Sequence, residues 1–445
     1  MKSTGLLIAA LILAALAGVL YWSNRHPASE DSNSKASSST SLKMLSLNQA
    51  DISRLTIRRE RQPQVELRKN ASGSWEITAP KALGADQDEV ASVLSSLSSL
   101  TADRLIEQEI RDIAPYGLSN PQLEIEATAK DNQKQKLLIG DQTPSGSTYY
   151  AMISGDPRLF TITSFNKSSL DKSANDLRDK RLLTADFDKV SQIELRNAAK
   201  KQEVTLARNK EGWQVLKPGP YRADVEQVDE FIRTLREAKM DLATTNDEAK
   251  TAAAYKSAEP FGAAKITGVS GTEELEVRKA KDQAEYYARS SALAGIYKLA
   301  ASTGNNFNKG LDDFRNKKLF DFGYQDPEKI EIHDGDKSYF LTRSGSDWWG
   351  PDGKKLDAST VDPVVEQLRA LAASKFPASG FTAPILQLTV TSHEGKRVER
   401  VSIAKNGDTY IAKRENEGAL YELPSVHDLE EAASKIKPVP TPPAK

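Results

Sequence analysis

Five positions recur along this chain with their spacing kept. Pro80, Asp86, Val90, Leu94 and Leu97 return 138 residues later as Pro218, Asp224, Val228, Ile232 and Leu235. They return 133 residues further on as Pro351, Asp357, Val361, Val365 and Leu368. A period of that length marks one folding unit used three times. The 445 residues leave room for about three domains, each large enough for its own core. Repetition points to an architectural or binding role before a unique catalytic pocket.

Lys plus Arg number 61 and Asp plus Glu 62, so no global field draws in nucleic acid. Cysteine is absent, which removes disulfides, thiolate catalysis, Cys-ligated metals and a lipid-modified N-terminal cysteine. Residues 5–22, GLLIAALILAALAGVLYW, form an uncharged run of about 27 Å as a helix, close to the hydrocarbon thickness of a bilayer. Lys2 precedes it, and Tyr21 and Trp22 end it where an aromatic belt lies. The run is read as an inner-membrane anchor, with residues 1–4 a cytoplasmic stub and the bulk of the chain periplasmic. A cleaved signal peptide is the competing reading, although its apolar region is normally shorter and ends in small residues. Ala10, Ala14 and Gly18 share a four-residue spacing that lets two such helices approach.

Residues 23–44 are Ser-rich and read as a flexible linker. Three modules follow, at 45–183, 184–320 and 321–436, and 437–445 reads as a Pro-rich disordered tail. Each module opens with apolar residues alternating at period two, the mark of half-buried antiparallel strands. Leu55 and Ile57, Val65 and Leu67, then Trp75 and Ile77 do so in the first module. Ile193 and Leu195, Val204 and Leu206, then Trp213 and Val215 follow in the second, and Ile330 and Ile332, Tyr339 and Leu341, then Trp348 in the third. A helix comes next, N-capped by Asp86, Asp224 or Asp357, with Glu89 and Gln227 at the capping-box partner position. Val90, Val93, Leu94 and Leu97 make an i, i+3, i+4, i+7 stripe to close over the strands. A second strand set repeats as Tyr149, Tyr286 and Tyr410. The fold class is α+β: a transmembrane helix, then three tandem repeats of antiparallel β-meanders each closed by a helix, laid out as six half-units in a row.

At residues 116–152 the text carries Gly117-Leu118 with Pro121, then Leu138-Ile139-Gly140 before Thr143-Pro144, then Tyr149-Tyr150-Ala151. With the basic Arg178-Asp179-Lys180-Arg181 stretch, it resembles the bacterial domain-of-unknown-function 4340 family. The resemblance implies a membrane-anchored envelope protein, and some relatives associate with transport-system or gliding-motility components. It carries over no catalytic residue.

The residues themselves offer little chemistry. No G-x-S-x-G, Gly-rich phosphate loop or H-E-x-x-H occurs, and no cofactor or metal site is expected. His333-Asp334-Gly335-Asp336 invites a cation reading, but the repeat aligns it with a hairpin turn. Trp75, Trp213 and Trp348 read as core. Trp349 must point to the opposite face from Trp348 and is the first candidate for a partner contact. The basic hairpin with Arg54, Arg58, Arg59 and Arg61 reads as a charged edge strand; the alternative is contact with anionic headgroups through Arg58 and Arg59. The expectation is a non-enzymatic, membrane-anchored accessory or scaffold subunit of an envelope assembly, with an ABC-type transport component among its partners. The alternative is a periplasmic module that presents a solute, peptide or glycan to a transporter.

Overall fold

The computed structural model describes residues 42–210, 212–242, 248–281 and 284–440. The apolar run at 5–22 and most of the Ser-rich linker lie outside the described residues, as do residues 441–445. Among the described residues no helix is long and apolar enough to cross a membrane. The chain divides into two compact units, Met1–Asp179 and Lys180–Lys445.

The first unit holds one antiparallel sheet. Its strands are β1 (Ile52–Arg59), β2 (Val65–Lys69), β3 (Trp75–Ala79), β4 (Leu83–Gly84), β5 (Arg104–Glu107), β6 (Leu123–Ala129), β7 (Lys134–Gln142), β8 (Thr148–Ile153) and β9 (Leu159–Thr163). Their order is β4-β3-β2-β1-β6-β7-β8-β9-β5. The two meanders are therefore not successive half-units, as the sequence suggested. Their first strands pair back to back, Ile57 with Ile125 and Leu55 with Ala127, and merge them into one sheet. The merger puts buried side chains of both strands on one face, where a single core can hold them.

The second unit repeats this plan twice. One sheet comprises β10 (Val190–Asn197), β11 (Gln202–Asn209), β12 (Gly212–Lys217), β13 (Tyr221–Arg222), β14 (Glu259–Gly268), β15 (Gly271–Lys279), β16 (Tyr286–Ser290) and β17 (Tyr297–Leu299). The other comprises β18 (Lys329–Asp334), β19 (Lys337–Ser344), β20 (Asp347–Trp349), β21 (Leu386–Ser392), β22 (Arg397–Asn406), β23 (Thr409–Arg414) and β24 (Leu420–Leu423). Again the first strands of the two meanders pair, β10 with β14 and β18 with β21.

Helices cover the apolar face of each sheet. In the first unit they are α1 (Gln87–Ser98), α2 (Ser164–Leu170) and α3 (Ala174–Leu177); in the second, α4 (Val225–Arg236), α6 (Ala301–Asn305), α7 (Leu311–Phe314), α8 (Ala358–Ala370) and α9 (His427–Ser434), while α5 (Glu248–Ser257) packs on the opposite face, Tyr255 with Tyr287. Val90, Val93, Leu94 and Leu97 of α1 are buried as the stripe required. Asp86 accepts the amides of Asp88 and Glu89, Asp224 that of Gln227, and Asp357 that of Ser359. The capping box is replaced by other bonds: Gln227 accepts from Lys309 Nζ at 3.0 Å, and Gln87 brackets Trp75, accepting from its amide at 2.8 Å and donating to its carbonyl at 2.9 Å. Trp75, Trp213 and Trp348 all belong to the cores.

Every module is closed by the same backbone clasps. At the entering end, Met44 N bonds Leu100 O, Leu182 N bonds Ala238 O, and Leu319 N bonds Leu371 O, each at 2.9 Å. At the leaving end, Asp86 N bonds Leu177 O and Asp224 N bonds Phe314 O at 2.8 Å, and Asp357 N bonds Lys437 O at 2.9 Å. The third clasp corrects the reading of residues 437–439 as tail. Pro438 bridges Leu356, and Val439 N donates to Lys355 O at 2.8 Å. Proline is tolerated there because the bridge uses the amide of its neighbour and not its own nitrogen.

A second correction concerns β1. It lies inside the sheet, between β2 and β6, so Arg54 and Arg58 do not guard an edge. Turn geometry at His333 agrees with the sequence: Asp334 pairs with Lys337 across Gly335-Asp336, with Gly335 at φ 56°.

Candidate functional site

Two recurring sets of polar residues hold backbone. One is the aspartate caps. The other lies on the second strand of the second meander, where Gln135, Glu273 and Glu399 occupy equivalent places two residues before the buried Leu137, Leu275 and Val401. Gln135 Oε1 accepts the amide of Ser46 at 2.9 Å. Glu273 accepts the amide and the hydroxyl of Thr184, both at 2.8 Å. Glu399 accepts the amide of Asp321 at 3.0 Å. Each fastens the entering chain of its module to the sheet. Sequence reasoning missed the set because it aligned apolar positions; the signal was an acidic or amide residue two before a core aliphatic.

The third lock is extended into a buried ion network. Arg414 donates to Glu399 at 3.0 Å and to Glu417 at 2.7 Å, and also to the carbonyl of Leu319. Burial opposes the charge on Arg414, and the Glu417 and Glu399 carboxylates overcome it, holding the guanidinium above its ordinary value. Tyr421 donates to Glu417 at 2.6 Å. Arg222, from the preceding sheet, brings its Nε within 2.9 Å of Glu417, an ion pair without hydrogen-bond geometry. Beside it Arg315, 7% exposed, lies between the rings of Tyr221 at 4.2 Å and Phe376 at 3.6 Å. These groups join the two sheets of the second unit.

Arg58 and Arg59 are adjacent on β1 and so emerge on opposite faces. Arg58 is exposed and donates to Glu124 at 3.3 Å and Gln64 at 3.1 Å. Glu124 also meets Lys136 at 3.0 Å, raising the pKa of that lysine against its desolvation. Arg59 is mostly buried. Its Nε stands 3.9 Å from Asp171, a carboxylate already paired with Lys167 at 2.8 Å. An open cleft of about 510 Å³ runs between this hairpin end and residues 119–121.

That cleft borders the segment with the family-like residues. Gly117 takes φ 68°, and a Cβ there meets Asp141 at 2.5 Å; a Cβ on Gly140 meets Tyr116 O at 2.1 Å. Leu118 is buried with Met152 and Leu159, and Tyr116 packs edge-on to Tyr150 at 4.8 Å. The motif thus clamps the connecting loop onto the outer face of the sheet.

Trp349 lies in the second unit on the outer face of the third sheet, on edge strand β20, opposite Thr342. It is half-buried. Phe340, two residues from Thr342 on that face, is 40% exposed and meets His333 edge-on at 5.4 Å. Arg58 and Arg59 belong to the other unit, so the three contact candidates form no shared cluster within either unit. Among the described residues, no group of three or more His, Asp or Glu stands ready for a metal.

The fold and its recurring locks define a repeat protein of antiparallel α+β modules. The family described as a domain of unknown function (DUF4340) matches residues 75–214 and 213–387, and the chain belongs to that family. The first match runs from Trp75 in β3 to Gln214 in β12, so it spans one structural period but is out of phase with the sheets. No curated protein and no solved structure matches the chain.

Proposed function

We propose that this protein is a non-enzymatic interaction subunit of an envelope assembly, held at the periplasmic side of the inner membrane by residues 5–22 and serving a transport system of the ABC type. One observation carries the reading. Two sets of polar residues that recur in the three modules hold backbone, Asp86, Asp224 and Asp357 at helix starts and Gln135, Glu273 and Glu399 at the entering chain. Outer-face positions differ among the modules, Trp349 standing where the others have Glu76 and Gln214, which suits a scaffold whose copies meet different neighbours. Copies kept for a shared chemistry would repeat polar groups on an accessible surface. The test is purification of the full chain from gently solubilised membranes. A stoichiometric transport-system protein retained through washing supports the proposal; a chain that emerges alone, or with only a small molecule, overturns it.

The open cleft beside Arg58 favours a second reading, presentation of a solute, peptide or glycan to a transporter. A small molecule that copurifies and is lost in Arg58→Gln supports that reading.

A further inference from the structure

Equivalent residues of the second and third modules make different use of one aromatic position. In the second, Phe187 follows the clasp residue Leu182 by five places and is 9% exposed. Arg236, the last residue of α4, covers its ring at 5.7 Å and pairs with Asp188 at 2.6 Å. In the third, Tyr324 follows Leu319 by five places, and Arg369 stands where Arg236 stands, twelve residues after the helix cap. Arg369 does not cover Tyr324. It lies over Phe322 at 5.3 Å, a residue whose counterpart is Ala185. Phe322 has taken the seat that Phe187 fills, and Tyr324 is 99% exposed.

The loop that presents Tyr324 is nevertheless fastened. Arg369 donates to Gly323 O at 3.0 Å, to Tyr324 O at 3.3 Å and to Asp326 at 2.9 Å. Gly323 sits at φ 68°, the left-handed turn that points the next residue outward. With the backbone of the loop already fastened, binding has only the Tyr324 side chain left to order, which lowers the entropic cost of using it as an anchor.

Tyr324 itself borders a cavity of about 130 Å³ that is also lined by Phe320 and Phe322 and by the charged Glu226, Lys318, Asp321 and Arg369. For comparison, a cavity of about 150 Å³ accepts one benzene ring. The patch therefore carries a ring and a space for a ring side by side, with both signs of charge around them. Such a surface is complementary to itself about a twofold axis.

We infer that the 320–324 patch is a twofold contact in which Tyr324 of each copy enters the cavity beside Tyr324 of the other. The test uses the full chain in membranes, with p-benzoylphenylalanine installed at Glu226 in the cavity lining. The expected photoproduct has twice the 48.8 kDa mass of the chain and falls at least tenfold when Tyr324→Ala is added. Tyr324→Phe, which keeps the ring, should restore it. An unchanged melting temperature in Tyr324→Ala shows that the loss is not misfolding. An adduct with a different protein, no adduct, or a double-mass adduct that persists in Tyr324→Ala overturns the inference.

Discussion

Arg414 donates to Glu399 at 3.0 Å inside the third module, and the equivalent pair in the second module is Ser290 and Glu273. In both modules the carboxylate receives the entering chain, and the partner residue binds the carbonyl of the clasp leucine, Leu319 or Leu182. One framework bond is thus made with a buried charge in one copy and a hydroxyl in the other. Truncating Glu399 leaves Arg414 buried with Glu417 as its remaining carboxylate. Glu399→Ala should cost about 2–3 kcal/mol, the worth of a charged hydrogen bond. Glu273→Ala, which strands no buried charge, should cost about 1 kcal/mol. Urea unfolding of the two variants measures the difference.

The helix caps give a second expectation. Asp224 accepts from Gln227 N at 3.1 Å. Asp224→Ala should lower stability by about 1 kcal/mol, and Asp224→Asn should restore most of it. Thermal melts of both variants check the cap.

The family motif gives a third. Gly140→Ala places a methyl 2.1 Å from Tyr116 O, so the loop must lift from the sheet at a cost of about 1–3 kcal/mol. Gly73→Ala meets nothing within 4 Å but needs φ 83°, and should cost only the left-handed backbone penalty of about 1–2 kcal/mol. Proteolysis within residues 108–122 should accelerate in Gly140→Ala and not in Gly73→Ala.

Alkaline pH gives a fourth. Burial and the hydrogen bond to Glu285 push Tyr287 up to about 12. A raised folded pKa stabilises below the unfolded value of about 10, and that contribution is lost as pH climbs toward 12. Melting temperatures between pH 9 and 12 should fall less steeply in Tyr287→Phe, which keeps the ring and drops the titration.

Much of this architecture is written in apolar spacing. Leu55 and Ile57, or Val90 and Leu94, announce strand and helix because each face must be buried once per period. The merging of two meanders into one sheet was hidden, since β1 and β6 are separated by more than 60 residues and nothing local marks their pairing. The locks were hidden for another reason: their acceptors vary between Gln135 and Glu273, and their donors are backbone amides that leave no trace in side-chain identity. Pro438 misled because proline weakens a strand reading, although a bridge that uses only its neighbours' polar groups tolerates it. Tyr324 was invisible because its exposure depends on which aromatic Arg369 covers.

The sharpest test of the division between fixed framework and variable contact surface uses two neighbouring residues. Trp348 is buried in the third core and Trp349 lies on the outer face of the same strand. Photocrosslinking from each position in intact membranes should give a discrete protein adduct from Trp349 and none from Trp348. Silence at Trp349, or equal labelling from both, contradicts the account.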